Sequence, residues 1–145
     1  MRSFLFVPAD SEKKLSKAAS CGADAIILDL EDSVALSAKE TARYSAAAYL
    51  KTASRKGPKL IVRINALDTP FWEKDLEAVI AARPDLIVVP KTLSGACVRK
   101  VGDRIDRIGG GKEIGIGCVA TETAASLFTL GTYAGSHERL AFLTW

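Results

Sequence analysis

Residues 25–32 read AIILDLED. Four apolar residues lead into three carboxylates, Asp29, Glu31 and Asp32, with Leu30 between the first two. The apolar half is strand-length and β-branched, which predicts a buried strand. Packing alone gives no reason for a buried run to end in concentrated negative charge. In parallel α/β proteins the C-terminal ends of strands face the ligand, so acids placed there point to chemistry.

The same design recurs along the chain. SFLFVPA (3–9), KLIVRIN (59–65), LIVVPK (86–91), GIGCVATET (115–123) and RLAFLTW (139–145) are further strand candidates. Longer segments with helical spacing lie between them. Ser11 to Cys21 carries Leu15, Ala18 and Ala19 on one side, and Ser37 to Ser54 carries Ala42, Ala46 and Tyr49. Trp72 to Ala82 carries Leu76, Val79 and Ile80, and Gly95 to Ile108 carries Val98, Val101 and Ile105. Gly22, Gly57-Pro58, Pro84 and the glycines at 109–111 punctuate the returns to strand. Strand and helix alternate five times before a sixth strand, which implies a parallel sheet with helices on its faces. Two architectures compete: a doubly wound sheet of about five strands, and a (β/α)8 barrel of eight strands and roughly 250 residues. If the fold is a barrel, residues 1–145 hold only part of it.

The totals fit one domain. The chain has 145 residues, 48% of them hydrophobic, enough for a sizeable core. Its net charge of +3 is spread among interleaved acids and bases, which argues against a nucleic-acid stripe. Cys21, Cys97 and Cys118 are far apart and odd in number, as expected of reduced core thiols rather than a zinc or disulfide framework. The start, MRSFLFVPAD, is too short in its apolar run for a signal peptide or a membrane span, so the cytoplasm is the expected location.

Side chains alternate faces along a strand. Asp29 and Glu31 should therefore point one way, and Leu28, Leu30 and Asp32 the other. Ile61, Arg63 and Asn65 should share a face, opposite Val62 and Ile64. Lys91 closes the fourth strand and Glu122 the fifth. Asp29, Glu31, Arg63, Lys91 and Glu122 thus converge on one rim, where buried charges persist only if paired or bound to something. Three acids against two bases leave room for a cation, and oxygen ligands without His or Cys suit Mg2+ before Zn2+. Arg63 could hold a carboxylate or a developing enolate oxygen through its planar fork. A single strand-end Asp more often caps a helix or forms a salt bridge, and Asp32 and Ser33 are placed for that. Lys91 could equally be a solvated loop residue. His137, in the GSHER loop, reads as a surface residue off the rim.

Taken together, FLFVPADSEKKLSKA, GADAIILDLEDSVALSAKETAR, LIVRINALDTPFWEKDLEAV, LIVVPK and ATETAASL resemble the citrate lyase β-subunit-like family. That family lies within the HpcH/HpaI aldolase superfamily of (β/α)8 barrels. The resemblance implies a TIM barrel of which residues 1–145 form the first six strands and five helices. It also implies a magnesium-dependent lyase that splits a 3-hydroxyacyl thioester, citryl-CoA or malyl-CoA in type, into acetyl-CoA and a 2-oxo acid. Arg63 matches the family's substrate-binding arginine and Glu122 a magnesium ligand. Asp29, Glu31 and Asp32 match the acidic motif of the catalytic group. Phe6, Lys13, Lys17 and Lys39 match positions contacting CoA, with Phe6 standing where some relatives have tyrosine. Lys91 is expected among the substrate-binding residues. Lys13 and Lys17 are four apart on one helix face, spaced to meet a phosphate together. The expected partners are an acyl-CoA or acyl-carrier thioester and a 2-oxo acid, within a homo-oligomer, with neither nucleic acid nor membrane.

Two departures stand out. Relatives commonly read PKVES after the fourth strand, where this chain has Pro90-Lys91-Thr92-Leu93-Ser94. The family's second magnesium ligand, an Asp in a GAED-like loop, is expected after Trp145. The chain is accordingly expected to be the N-terminal portion of a lyase and impaired by itself. Competing readings are a non-catalytic fragment that binds CoA or a partner, and an aldolase acting on free 2-oxo acids. A phosphoacceptor domain would need an acidic pair after the first strand, where VPAD offers Asp10 alone.

Overall fold

Six short strands lie side by side in one sheet in the computed structural model, which describes residues 1–145. They are β1 (Phe4–Pro8), β2 (Ala25–Asp29), β3 (Lys59–Arg63), β4 (Leu86–Val89), β5 (Gly115–Val119) and β6 (Leu140–Thr144). Every neighbouring pair is parallel, and the spatial order is the chain order. A doubly wound sheet reverses its strand order at a switch point, so this sheet is instead part of a barrel wall. The wall curls far enough that the Phe4 ring on β1 meets the Phe142 ring on β6, with centroids 5.9 Å apart.

The four inner strands bury both faces, as parallel strands covered by helices do, while β1 and β6 at the sheet edges are largely open. Ile26, Leu28, Leu60, Val62, Ile87, Val89, Ile116 and Cys118 face outward into the main core, which the helices cover. Ala25, Ile27, Ile61, Leu86, Val88 and Val119 face inward as a second, smaller cluster. The helices are α1 (Glu12–Ala18), α2 (Lys39–Thr52), α3 (Trp72–Val79) and α4 (Gly95–Arg107). Each lays an apolar stripe on the sheet: Leu15 and Ala18; Ala42, Ala46 and Leu50; Leu76 and Val79; Val98, Val101 and Ile105. Full burial of such a side chain contributes about 1.5–3 kcal/mol. No helix is long and apolar enough to cross a membrane.

The fifth connection takes a form the apolar spacing did not specify. Ala124–Tyr133 is a 3-10 helix of ten residues. Thr123, Ser126, Thr129 and Thr132 recur every third residue, which matches three residues per turn. The hydroxyls of Ser126, Thr129 and Thr132 donate to the carbonyls of Thr123, Ser126 and Thr129 at 2.6, 2.9 and 2.6 Å. This hydroxyl ladder competes with the i→i−4 pattern and holds the tighter winding. Thr132 Oγ1 also accepts the Gly95 N–H at 2.9 Å, which fixes the segment to the start of α4.

Arg139 straps the glycine loop that precedes β5. Its buried guanidinium donates to the carbonyls of Gly111 at 2.8 Å and Ile114 at 2.9 Å, and to Asp106 at 2.5 Å. Two expectations change here. Only Cys118 is a core thiol, since Cys97 is half-buried and Cys21 exposed. His137 is mostly buried, because its ring fills the space above Gly102, where any side chain would collide with it.

Gly95 is where the helix backbone and the 3-10 segment approach most closely. A methyl group there would overlap the Thr132 carbonyl oxygen, which is backbone and cannot swing aside. Gly95→Ala is expected to cost about 1–3 kcal/mol in urea unfolding. An unchanged midpoint would contradict the close packing of these two elements.

Candidate active site

The in-register pairing of β2 and β3 sets Asp29 beside Arg63. Their side chains form a two-bonded fork: Arg63 Nε donates to Asp29 Oδ1 and Nη2 to Oδ2, both at 2.7 Å. Asp29 also accepts the N–H groups of Glu31 at 3.0 Å and Ser33 at 3.1 Å. These two bonds turn the chain, which is why β2 ends at Asp29 while Glu31 and Asp32 lie in the following loop. Arg63 Nη1 is 3.2 Å from Glu31 Oε2, and the guanidinium carbon sits 4.7 Å from the centre of the Phe6 ring on β1.

Lys91 joins three strand tips. Its ammonium lies 2.6 Å from Glu31 Oε1 and 3.1 Å from Asp32 Oδ1. Its backbone N–H donates to Glu122 Oε2 at 2.5 Å, and its φ of 51° is left-handed. The reading of Lys91 as a free, solvated loop residue therefore gives way to an ion pair, because two carboxylates lie within its reach. Asp32 stays exposed on its other side.

Burial opposes ionisation of Asp29, but the Arg63 fork, Ser33 and the Glu31 N–H outweigh it and hold the carboxyl below its ordinary value. For Glu31 burial wins over Lys91 and Arg63, and its pKa is raised. Burial works against the charge on Arg63 too, but Asp29 outweighs it and the pKa rises. Hydrogen bonding to Glu31 raises that of Lys91.

Three sequence expectations change. Lys39 is buried, with its ammonium donating to the carbonyls of Leu30 at 2.8 Å and Glu31 at 2.6 Å, and burial lowers its pKa. Its ammonium clamps the acidic loop, whereas the resemblance implied a CoA contact there. Asn65 lies beyond the end of β3 and turns to Asp75 on α3, at 2.7 Å, and to the Leu30 carbonyl, at 2.9 Å, so it leaves the rim. Asp32 and Ser33 cap no helix, since the next helical turn starts at Leu36 and Ser33 is drawn to Asp29. The supporting roles of Lys39 and Ser33 had one visible signal, the short spacing from the LDLED acids.

Arg63 and Glu122 line one cavity of about 530 Å³, with Phe4, Phe6, Ile27 and Phe142 among its walls. Lys13 and Lys17 are exposed on α1 and, with Lys14, border a second hollow of about 480 Å³. Phe6 lines both. For magnesium the donor set offers Glu122, the one of Asp29, Glu31, Asp32 and Glu122 with no cationic side chain on it, a hard oxygen ligand of the right kind. No group of three or more His, Cys, Asp or Glu side chains within residues 1–145 is arranged around a metal position, so Glu122 is the ligand that these residues would supply.

A parallel wall whose strand tips carry a carboxylate-gripped arginine, a paired lysine and Glu122 defines the chain as part of an α/β barrel with a charged rim. The chain belongs to the HpcH/HpaI aldolase/citrate lyase family, whose profile matches residues 2–137. The citrate lyase subunit beta of Leuconostoc mesenteroides subsp. cremoris is 39% identical over 100 residues, 69% of this chain and 33% of that protein. A (3S)-malyl-CoA thioesterase of Cereibacter sphaeroides is 40% identical over 104 residues, 72% of this chain and 36% of that protein. Among solved structures, the protein CitE of Mycobacterium tuberculosis, in complex with magnesium and acetoacetate, superposes with a TM-score of 0.77 at 30% identity. That match covers 98% of this chain and 52% of the other. The chain thus spans about a third of the curated relatives and about half of the solved one.

Because its folded pKa lies below the ordinary 3.8, ionised Asp29 contributes stability that is complete above about pH 4 and is lost as pH falls through the lowered value. Glu31 has the opposite sign: its raised pKa means that its charge costs stability at neutral pH and that protonation relieves the cost. Asp29→Asn leaves Arg63 without its fork, and breaking one side of a buried pair costs about 3–5 kcal/mol. Urea midpoints measured from pH 7 to pH 3 should show that deficit at pH 7 and its narrowing below about pH 4. A deficit that is the same at both ends would contradict the assignment.

Proposed function

We propose that this chain carries part of the active site of a magnesium-dependent carbon-carbon lyase. The substrate is a 3-hydroxyacyl-CoA thioester of the citryl-CoA or malyl-CoA type, and the products are acetyl-CoA and a 2-oxo acid. The observation that carries this reading is the shared cavity of Arg63 and Glu122, with the guanidinium already aimed by Asp29. The relatives named for citrate lyase and malyl-CoA, and the magnesium in the solved neighbour, support the same chemistry.

Cleavage breaks the bond between the carbinol carbon and the carbon next to the thioester. The hydroxyl loses its proton as the carbinol becomes a keto group, and the bonding pair passes to the thioester as an enolate, later protonated to acetyl-CoA. Magnesium, when bound, supplies Lewis-acid polarisation of the 2-oxo acid oxygens. Glu122 is its candidate ligand. Arg63 places its outward N–H groups where the enolate oxygen gains charge, and the Asp29 fork keeps it from reorienting. Lys13 and Lys17 are candidate phosphate contacts for CoA, with Phe6 flanking the path from their hollow to Arg63. The acids Asp29, Glu31 and Asp32 belong to the catalytic group as the charges that set Arg63 and Lys91 in place.

Residues 1–145 act in this reading as one partial barrel domain, in the cytoplasm and within a homo-oligomer.

Calorimetric titration of the 145-residue chain with pyruvate and with acetyl-CoA, each with and without Mg2+, tests the proposal. Pyruvate binding should require Mg2+, vanish in EDTA and weaken about tenfold in Glu122→Gln, the scale of one lost charged contact. Arg63→Lys should weaken acetyl-CoA binding, because an ammonium cannot reproduce the fork. Binding of acetyl-CoA that ignores Mg2+, without turnover of malyl-CoA, would favour a non-catalytic fragment. Turnover of a free 4-hydroxy-2-oxo acid but of no thioester would favour the aldolase branch.

A further inference from the structure

Lys91 is one of only two residues other than glycine with a positive φ, at 51°, and the other, Arg83, merely ends a helical turn before Pro84. A left-handed conformation is costly for any residue with a Cβ, and it persists where surrounding contacts hold it. Here those contacts are visible at both ends of the residue. The ammonium is anchored between Glu31 and Asp32, on the loop after β2. The chain's next N–H, that of Thr92, donates to the Val119 carbonyl at 3.3 Å, and the Thr92 hydroxyl donates to the same oxygen at 2.8 Å. Between these anchors, the backbone N–H of Lys91 is turned to Glu122 Oε2 at 2.5 Å. Glu122 itself is exposed and has no cationic side chain to orient it. Its carboxylate would otherwise rotate freely in solvent.

We propose that Lys91 is a positioning residue whose left-handed backbone, locked by its side chain on Glu31 and Asp32, fixes the Glu122 carboxylate so that one oxygen is held and the other faces the cavity. This deepens the proposed function and rests on it in one respect, that Glu122 is the residue facing magnesium. The ammonium acts at a distance as the anchor, while the N–H is the group that touches Glu122. A carboxylate held by one oxygen presents the other to a cation without paying for its own immobilisation at the moment of binding.

Two measurements test this. In the 1H–15N spectrum, the Lys91 amide should resonate downfield of its loop neighbours, as hydrogen-bonded amides do, and should move upfield in Glu122→Ala; an amide that ignores Glu122→Ala overturns the contact. In the Mg2+ titration with pyruvate, Lys91→Gly and Lys91→Val both lack the ammonium and differ in whether the backbone accepts a positive φ. Lys91→Val should bind about tenfold more weakly than Lys91→Gly, because a β-branched residue resists that conformation and swings the N–H away. Equal binding by the two variants overturns the proposal, since it would assign the effect to the ammonium alone. Should the wild-type chain fail to bind pyruvate with Mg2+ at all, the functional reading fails, and the amide resonance still decides whether Lys91 positions Glu122.

Discussion

The pairing of Asp29 with Arg63 is the constraint on which the rest of the rim depends. Two bonds of 2.7 Å join adjacent strands at their C-terminal ends, where the side chains are largely out of water. In that setting neither charge is tolerable alone. Asp29 therefore dictates where β2 stops, and the loop that follows carries Glu31 back over Arg63 and within reach of Lys91. Lys91 in turn binds the tips of β2, β4 and β5 into one charged seam.

Much of this could be read in the residues. The apolar runs located all six strands, and their parity separated Ile27 and Ile61, on the inner face, from Leu28 and Val62, on the outer one. Arg63, Asp29 and Glu122 were placed on one rim by counting from strand starts. What could not be read depended on where backbone stops being regular. Asn65 follows the parity of β3 on paper, but the strand ends at Arg63 and Asp75 captures it. Lys39 matched a CoA-contacting position by resemblance, and nothing in its spacing shows that the fold buries it under two carbonyls nine and eight residues behind it. The 3-10 winding of 124–133 is written in the spacing of four hydroxyl residues, a signal that apolar periodicity does not register.

The rim is built so that its strongest charges neutralise one another. Asp29 and Glu31 share Arg63, and Glu31 and Asp32 share Lys91, which leaves Glu122 as the acid answered only by a peptide N–H. Such a division gives the site a rigid, nearly neutral floor and one acid able to respond to a ligand. The aromatic wall adds to it, because Phe6 covers one face of the Arg63 guanidinium and leaves its donors only in plane.

The Arg139 strap bears on the order in which the chain assembles. It ties carbonyls at positions 111 and 114 and the acid at 106 to a residue 25 to 33 positions further on. During synthesis the glycine turn leaves the ribosome well before the group that fastens it. Until residue 139 has emerged, that hinge stays untethered and β5 must hold its place by pairing with β4 alone.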